Sequence, residues 1–165
     1  MTAYDAAQWT DFFVATAGAS AALAGLLFVA VSINVDRIIG EAGLPDRALE
    51  TLLLLVSVVL VSIVGLIPGQ SSGALGAELL FVTLTVAIVI VRLPTIGLAG
   101  GFAPSRSWFV TRWTLRLIGT VPLVLGGLSV LLEAGGGLYW IAAGVAFAIV
   151  GAVANAWVLL VEILR

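Results

Sequence analysis

Long apolar runs separated by short polar segments dominate the pattern of this chain. A helix needs about 20 apolar residues to cross the roughly 30 Å of hydrocarbon in a bilayer. Five runs predict five spanning helices, at residues 12–35, 51–68, 73–93, 109–132 and 139–161. The connections between them are too short for a soluble domain. The pattern therefore predicts an all-α, polytopic membrane protein in which residues 1–165 form a single transmembrane domain, a bundle of five helices.

Composition narrows the class further. Hydrophobic residues make up 62% of the chain and charged residues 10%, whereas soluble domains hold about 45–50% and about 25%. A soluble globule and a disordered chain are both excluded. The first run is much longer than the apolar core of a signal peptide, and acidic rather than basic residues precede it. We therefore expect an anchored N-terminus in a cell membrane, the cytoplasmic membrane of a bacterium.

The arginines predict the orientation. In the five-span arrangement, all seven basic residues fall on one face of the membrane. Basic residues stay on the cytoplasmic side. The N-terminus is then outside and the C-terminus inside.

Four carboxylates fall outside or near the outer boundary, with no basic side chain among them: Asp5, Asp11, Glu78 and Glu133. An acidic outer mouth attracts cations and repels anions. The alternative is that the outer side is acidic only because basic residues are kept on the cytoplasmic side, since Asp and Glu themselves determine topology weakly.

Glu78 is singled out by a length. The charge-free run Leu79–Val91 spans about 20 Å as a helix, which is less than the thickness of the hydrocarbon. Arg92 has a side chain long enough to reach the interface. We therefore expect Glu78 to lie below the outer interface, facing protein or a water-filled cavity. The alternative is a hydrated carboxylate in the first turns of the third span.

Small residues recur at intervals of four in two spans and share one face of each helix. The rows are Ala17, Ala21 and Gly25 in the first span, and Gly144, Ala148, Ala152 and Ala156 in the fifth. Small faces allow close helix packing in membranes. They indicate contact between the first and fifth spans, a subunit interface, or a helix that lines a pore. The second and third spans, rich in Leu, Val and Ile, are predicted to face lipid.

The fourth span is predicted to be interrupted. Pro122 has no backbone N–H and so removes one helix hydrogen bond. The hydroxyl of nearby Thr120 is suited to bond to a backbone group that loses its partner. Broken helices recur at transport sites, although Gly and Pro are also ordinary in membrane helices. Thr120 and Pro122 therefore join Glu78, Glu133 and Asp11 as a candidate ion pathway.

Four further polar residues lie toward the inner side. The amides of Asn34 and Asn155 are predicted to pair at the same depth, because a buried amide needs a partner. Arg112 and Arg116 share a helix face at the inner boundary. They are candidates to hold an anionic lipid headgroup, or they only set the topology.

Missing residue types exclude much chemistry. The chain has no Cys, His or Lys, which excludes His-bound zinc or haem, thiol catalysis and Schiff bases. We expect no enzyme activity, no cofactor, no metal site and no nucleic-acid partner. The first hypothesis is a subunit of an oligomeric channel or transporter that favours cations. The alternative is a non-catalytic accessory or scaffold protein that binds another membrane protein through its small-residue faces. The partners are then the lipid bilayer and either copies of this chain or that other protein.

Overall fold

The fold is entirely helical over the described residues. The computed structural model describes the backbone of residues 2–41, 43–92 and 106–163. Two short 3-10 segments, Thr2–Tyr4 and Ala6–Trp9, lead into the first helix. The α-helices that follow are α1 Thr10–Ile33, α2 Val35–Gly40, α3 Leu44–Gly65, α4 Ser72–Arg92, α5 Arg106–Leu131 and α6 Leu138–Ile163. The described part contains no strand, so the predicted all-α class is confirmed.

Four helical segments are long and apolar enough to cross a membrane: Ala6–Ile33, Leu44–Gly65, Ser72–Arg92 and Leu138–Val161. They correspond to the predicted first, second, third and fifth spans. In α5 the apolar stretch is shorter, Arg116–Leu131. Most of the predicted connection at 94–108 lies outside the described residues, as do residue 93 and Arg165. The helices are thus compatible with a membrane protein, and the five-span count stays a prediction.

The long helices alternate in direction. Contacts join the beginning of one helix to the end of another, in the pairs Phe13 with Gly65, Gly76 with Leu131, and Gly144 with Leu123. By contrast, Leu54 in α3 packs against Gly119 in α5. One turn earlier on each helix, Glu50 of α3 bonds to Arg116 of α5. α3 and α5 therefore run parallel, and each is antiparallel to its other neighbours.

One end of the bundle gathers the N-terminus and two connections. The Trp9 and Tyr139 rings meet edge to face, with centroids 5.0 Å apart. The Tyr4 hydroxyl accepts a hydrogen bond from the backbone N–H of Gly136 at 3.3 Å. We call this end, which includes the segment between α3 and α4 and the one between α5 and α6, the outer end, and the opposite one the inner end.

α3 is the central helix. In its apolar part, 56% of the residues are buried, against 6% for α1. Leu54, Val58 and Val61 form a fully buried stripe on α3, which packs against α1, α4 and α6. The expectation that this span faces lipid is therefore wrong. Core and lipid are equally apolar, so a Leu- and Val-rich helix suits either place.

Glycines bring α4, α5 and α6 into close contact. A Cβ atom on Gly76 would lie 2.4 Å from the backbone nitrogen of Leu131, and one on Gly127 would lie 2.7 Å from that of Leu80. On the other side of α5, a Cβ atom on Gly126 would lie 2.5 Å from the Ile141 side chain. Side chains at these positions would push the helices apart, so α4, α5 and α6 form a tight layer.

Candidate functional site

The most unusual feature of the interior is an ion pair between α3 and α5. The Arg116 Nε donates to Glu50 Oε1 at 2.9 Å, and its Nη2 donates to Glu50 Oε2 at 2.7 Å. This two-bond fork is the favoured geometry of a guanidinium and a carboxylate. Glu50 is 1% exposed and Arg116 2%. The two opposite charges therefore sit inside the bundle, toward its inner end.

Several contacts surround Arg116. The Trp113 ring centroid lies 5.7 Å from the guanidinium carbon. The Thr120 hydroxyl donates to the Arg116 carbonyl at 2.7 Å. Arg116 Nη1 is buried without a hydrogen-bond partner in the part of the chain that the structure describes. The site therefore keeps one unused hydrogen-bond donor, and leaving such a bond unmade costs about 1–3 kcal/mol.

Arg116 is a candidate to hold an anionic lipid headgroup or to set the topology, but its side chain is buried against Glu50 and does not reach a headgroup. The spacing of Arg112 and Arg116 establishes a shared face but not whether it points inward. The side chain of Arg112 lies outside the described residues. Sequence reasoning also passed over Glu50, although a signal existed. Glu50 precedes Leu54, Val58 and Val61 at helical spacing and so belongs to the buried stripe of α3.

The structure places all four outer acids at the outer end, where Asp5, Glu78 and Glu133 accept hydrogen bonds. Ser72, the first residue of α4, donates its hydroxyl to Glu133. Asp5 accepts from the backbone N–H of Ala7 and from Gln8 Nε2, both at 3.1 Å. Asp11 is exposed in the first turn of α1. Carboxylates are favoured near helix N-termini by the helix dipole. This applies to Asp11 in the first turn of α1 and to Glu133, which is bonded to the first residue of α4.

Glu78 is exposed in the second turn of α4. Its Oε2 accepts a hydrogen bond from Gln70 Nε2 at 2.6 Å. This placement matches the alternative interpretation, a carboxylate in the first turns of the span, rather than a group enclosed by protein. Among the described residues, no three acids lie together as a possible metal site.

A cavity of about 420 Å³ opens at the outer end. Its walls include Asp5, Thr10, Gln70 and the residues from Gly65 to Gly69. Gln70 Oε1 is buried without a partner in the described part of the chain. Through Gln70, this cavity is linked to Glu78. Its mixed polar lining suits water or a hydrated cation.

The predicted interruption of the fourth span is not a break. α5 runs from Arg106 to Leu131 and includes Pro122. Thr120 is 9% exposed, and its hydroxyl bond to Arg116 supports the turn before the proline. The helix therefore continues past the missing backbone donor, and no unwound backbone marks an ion site at this point.

The two small-residue rows are placed differently. On α1, Ala21 and Gly25 are exposed, and nothing lies within 4 Å of a Cβ atom built on Gly25. α1 packs on α3 instead, where the hydroxyls of Thr16 and Ser62 lie 2.9 Å apart. Ala17 is half-buried.

On α6, the row meets other helices. Gly144, Ala148 and Ala152 are buried, and a Cβ atom on Gly144 would lie 2.6 Å from the Leu123 side chain of α5. Ala156 is half-buried beside a groove that separates α1 from α6. The structure thus places α6 against α5 and α3 along this row, rather than against the row on α1.

The predicted pair of amides is not formed. Asn34 Nδ2 donates to the carbonyl of Ala30, one turn back on its own helix, at 2.9 Å. Asn155 is 9% exposed on the buried side of α6. Asn34 therefore bonds within its own helix rather than to Asn155 on α6.

Comparison of this chain with protein-family models, curated proteins and solved structures gives no match.

Proposed function

We propose that this chain is an integral membrane protein with five spans, an outside N-terminus and a cytoplasmic C-terminus. It acts as a subunit of an oligomeric channel or transporter that favours cations. The observation that carries the proposal is the placement of Asp5, Asp11, Glu78 and Glu133 at one end of the bundle. An acidic mouth concentrates cations and repels anions.

Assembly supplies the solute path in this proposal. The described core of one subunit is filled by apolar side chains such as Leu54, Val58 and Leu79. Buried hydroxyls such as Thr83 bond to their own helix backbone. A polar route therefore fits better between subunits than inside one.

α1 is the helix best suited to that assembly. Only 6% of its apolar part is buried. Gly18 and Gly25 have open space around them, and Ala21 between them is exposed. Small exposed faces of this kind let a helix of another subunit approach closely.

The ion pair has a positioning role. Charged residues inside a membrane protein are functional candidates by default. Glu50 and Arg116 neutralise each other and fix the register of α3 against α5. They hold the inner half of the bundle while the outer acids attract the solute.

The test is ion flux through purified protein in liposomes, paired with its oligomeric mass in nanodiscs. We expect cation flux to exceed anion flux, and Glu78→Gln and Glu133→Gln to reduce it without loss of folded protein. The reduction is expected to be larger at low ionic strength, because salt screens exposed charges. Glu41→Gln, at an exposed position beyond α2, is the matched control and should leave flux unchanged.

The accessory or scaffold function is the second candidate, and the exposed small-residue face of α1 favours it equally. A monomer without flux supports this alternative. An oligomer whose flux ignores both outer substitutions contradicts the cation-attracting mouth.

A further inference from the structure

The cavity at the outer end, which we call the outer cavity, is lined by two segments of the chain. Asp5, Ala6, Ala7 and Thr10 come from the N-terminal segment and the start of α1, and the residues from Gly65 to Gln70 come from the end of α3 and the connection that follows. Pockets that take small molecules measure about 300–1,000 Å³, and the outer cavity holds about 420 Å³. It is therefore large enough for an organic molecule.

The outer cavity carries a negative charge without a cationic partner. Asp5 accepts from two neutral groups, the backbone N–H of Ala7 and the side chain of Gln8, and it forms no ion pair in the described part of the chain. The described lining contains no basic side chain. α3 ends at Gly65, so the negative end of its helix dipole lies at the same place. The outer cavity therefore favours a cation over an anion.

Most polar atoms of the lining are hydrogen-bond acceptors. Leu66 and Ile67 donate their backbone N–H groups to carbonyls of α3, and Pro68 has no N–H. The Thr10 hydroxyl donates to the carbonyl of Ala7 at 3.0 Å, so its oxygen is left to accept. A ligand that brings its own N–H donors therefore suits this lining.

Gln70 adds an unsatisfied acceptor. Its Nε2 donates to Glu78 Oε2 at 2.6 Å. Because an ionised carboxylate only accepts, this contact fixes which way the amide points. The other atom of the amide, Oε1, is buried and has no hydrogen-bond donor among the described residues. Buried polar atoms are almost always hydrogen-bonded, so Gln70 also favours a ligand with an N–H donor.

The rest of the lining selects among cations. Leu66, Ile67 and Pro68 offer an apolar wall, which a hydrated metal ion does not use. No three acids lie together as a metal site among the described residues. The described lining holds no aromatic ring, whereas quaternary ammonium ions are recognised by aromatic cages. A primary ammonium group has three N–H donors, and an alkyl chain attached to it matches the apolar wall.

We propose that the outer cavity binds a primary alkylammonium ion. The ammonium group lies between Asp5 and Gln70, and the alkyl part lies against Leu66, Ile67 and Pro68. The proposal rests on the proposed function, since it names the class of cation that the acidic end collects. A phosphatidylethanolamine headgroup carries the same ammonium group, but its phosphate would meet Asp5 with no basic side chain in the described lining. The ligand is therefore a free amine.

The test is isothermal titration calorimetry of the full chain in an uncharged detergent at neutral pH. The titrants are the chlorides of n-butylammonium, tetramethylammonium, potassium and magnesium. We expect one n-butylammonium per subunit, bound at least about tenfold more tightly than tetramethylammonium, because hydrogen bonds from a charged donor are lost with the methylated ion. Neither metal ion should displace n-butylammonium at equal concentration. This comparison uses the unaltered protein, so it does not depend on the folding of a variant.

Two variants separate a local contact from the general charge of the outer end. Asp5→Asn keeps a side chain that can cap the 3-10 segment and should weaken n-butylammonium binding at least about tenfold. Asp11→Asn removes the same charge from the same end but outside the lining of the outer cavity. At physiological salt it should weaken binding less than about twofold, because salt screens exposed charges. Equal losses in the two variants would overturn the site in favour of diffuse attraction.

Three other results would overturn the ligand. Equal affinity for the two organic ions contradicts a primary ammonium group, and tighter binding of either metal ion contradicts an organic cation. Binding that disappears in phosphatidylethanolamine nanodiscs but persists in phosphatidylglycerol nanodiscs shows that a lipid headgroup, not a free amine, fills the outer cavity.

Flux is measured separately from binding. Binding of n-butylammonium without cation flux supports the site and contradicts the channel or transporter, whereas cation flux without this binding does the reverse.

Discussion

Arg116 and Glu50 face each other across the α3–α5 contact through two parallel hydrogen bonds, and both side chains are almost completely buried. The two opposite charges lie in contact inside the bundle. Removing one partner of such a pair leaves an uncompensated charge in an apolar interior and is strongly destabilising. Replacing both partners costs much less.

The first prediction follows from this pairing. Glu50→Gln or Arg116→Met alone should lower the free energy of unfolding by about 3–5 kcal/mol. The double variant should lose clearly less free energy of unfolding than the sum of the two single variants, because neither member of the pair stays charged without the other. Denaturant titration in mixed micelles, followed by far-UV circular dichroism, measures all three variants against Glu41→Gln as the exposed control. Strict additivity would show that the two side chains do not depend on each other.

The second prediction concerns two glycines on α4. Gly76→Ala places a methyl group against the backbone of Leu131, so α4 and α5 must separate, at a cost of about 1–3 kcal/mol. Gly73 lies three residues earlier on the same helix with open space around it. Gly73→Ala should be neutral or stabilising by up to about 1 kcal/mol, because alanine favours helix. Thermal unfolding compares the two, and equal effects would contradict the close α4–α5 contact.

The third prediction separates the two rows of small residues. Ala148 is fully buried on α6, so Ala148→Leu should destabilise the subunit by about 1–3 kcal/mol through overpacking. Ala21 is exposed on α1, and Ala21→Leu should leave the unfolding of the subunit nearly unchanged while it dissociates the oligomer. Thermal unfolding and mass measurement in nanodiscs read the two effects independently. If the Ala21→Leu variant kept the mass of the oligomer, α1 would not be part of the interface.

The fourth prediction concerns topology. A reporter that is active only in the cytoplasm, fused after Arg165, should be active. The same reporter fused before Met1 should be stable but inactive, because the arginine pattern predicts an outside N-terminus. An inactive but intact C-terminal fusion would contradict the five-span arrangement.

Hydropathy predicted where the helices lie but not what they face. The apolar runs located α1, α3, α4 and α6 because helix length and apolarity are properties of local sequence. Which side of each helix faces the core and which faces lipid could not be predicted from local sequence. In a bilayer the lipid is as apolar as the protein core, so α3 could not be recognised as central. The Glu50–Arg116 pair joins residues 66 positions apart. The spacing of residues along α3 or along α5 does not show which residue of the other helix forms the ion pair.

The exposure of α1 has a mechanical consequence. Among the long helices, α1 packs mainly on α3, whereas α4, α5 and α6 are held to one another by glycine contacts and α3 is fixed by the ion pair. Segments with few buried contacts open at the lowest free energy. A force applied to the N-terminus would therefore peel α1 away first and leave α3 to α6 together. Single-molecule pulling would record this as an early, small rupture, followed by a larger one when the four-helix remainder gives way.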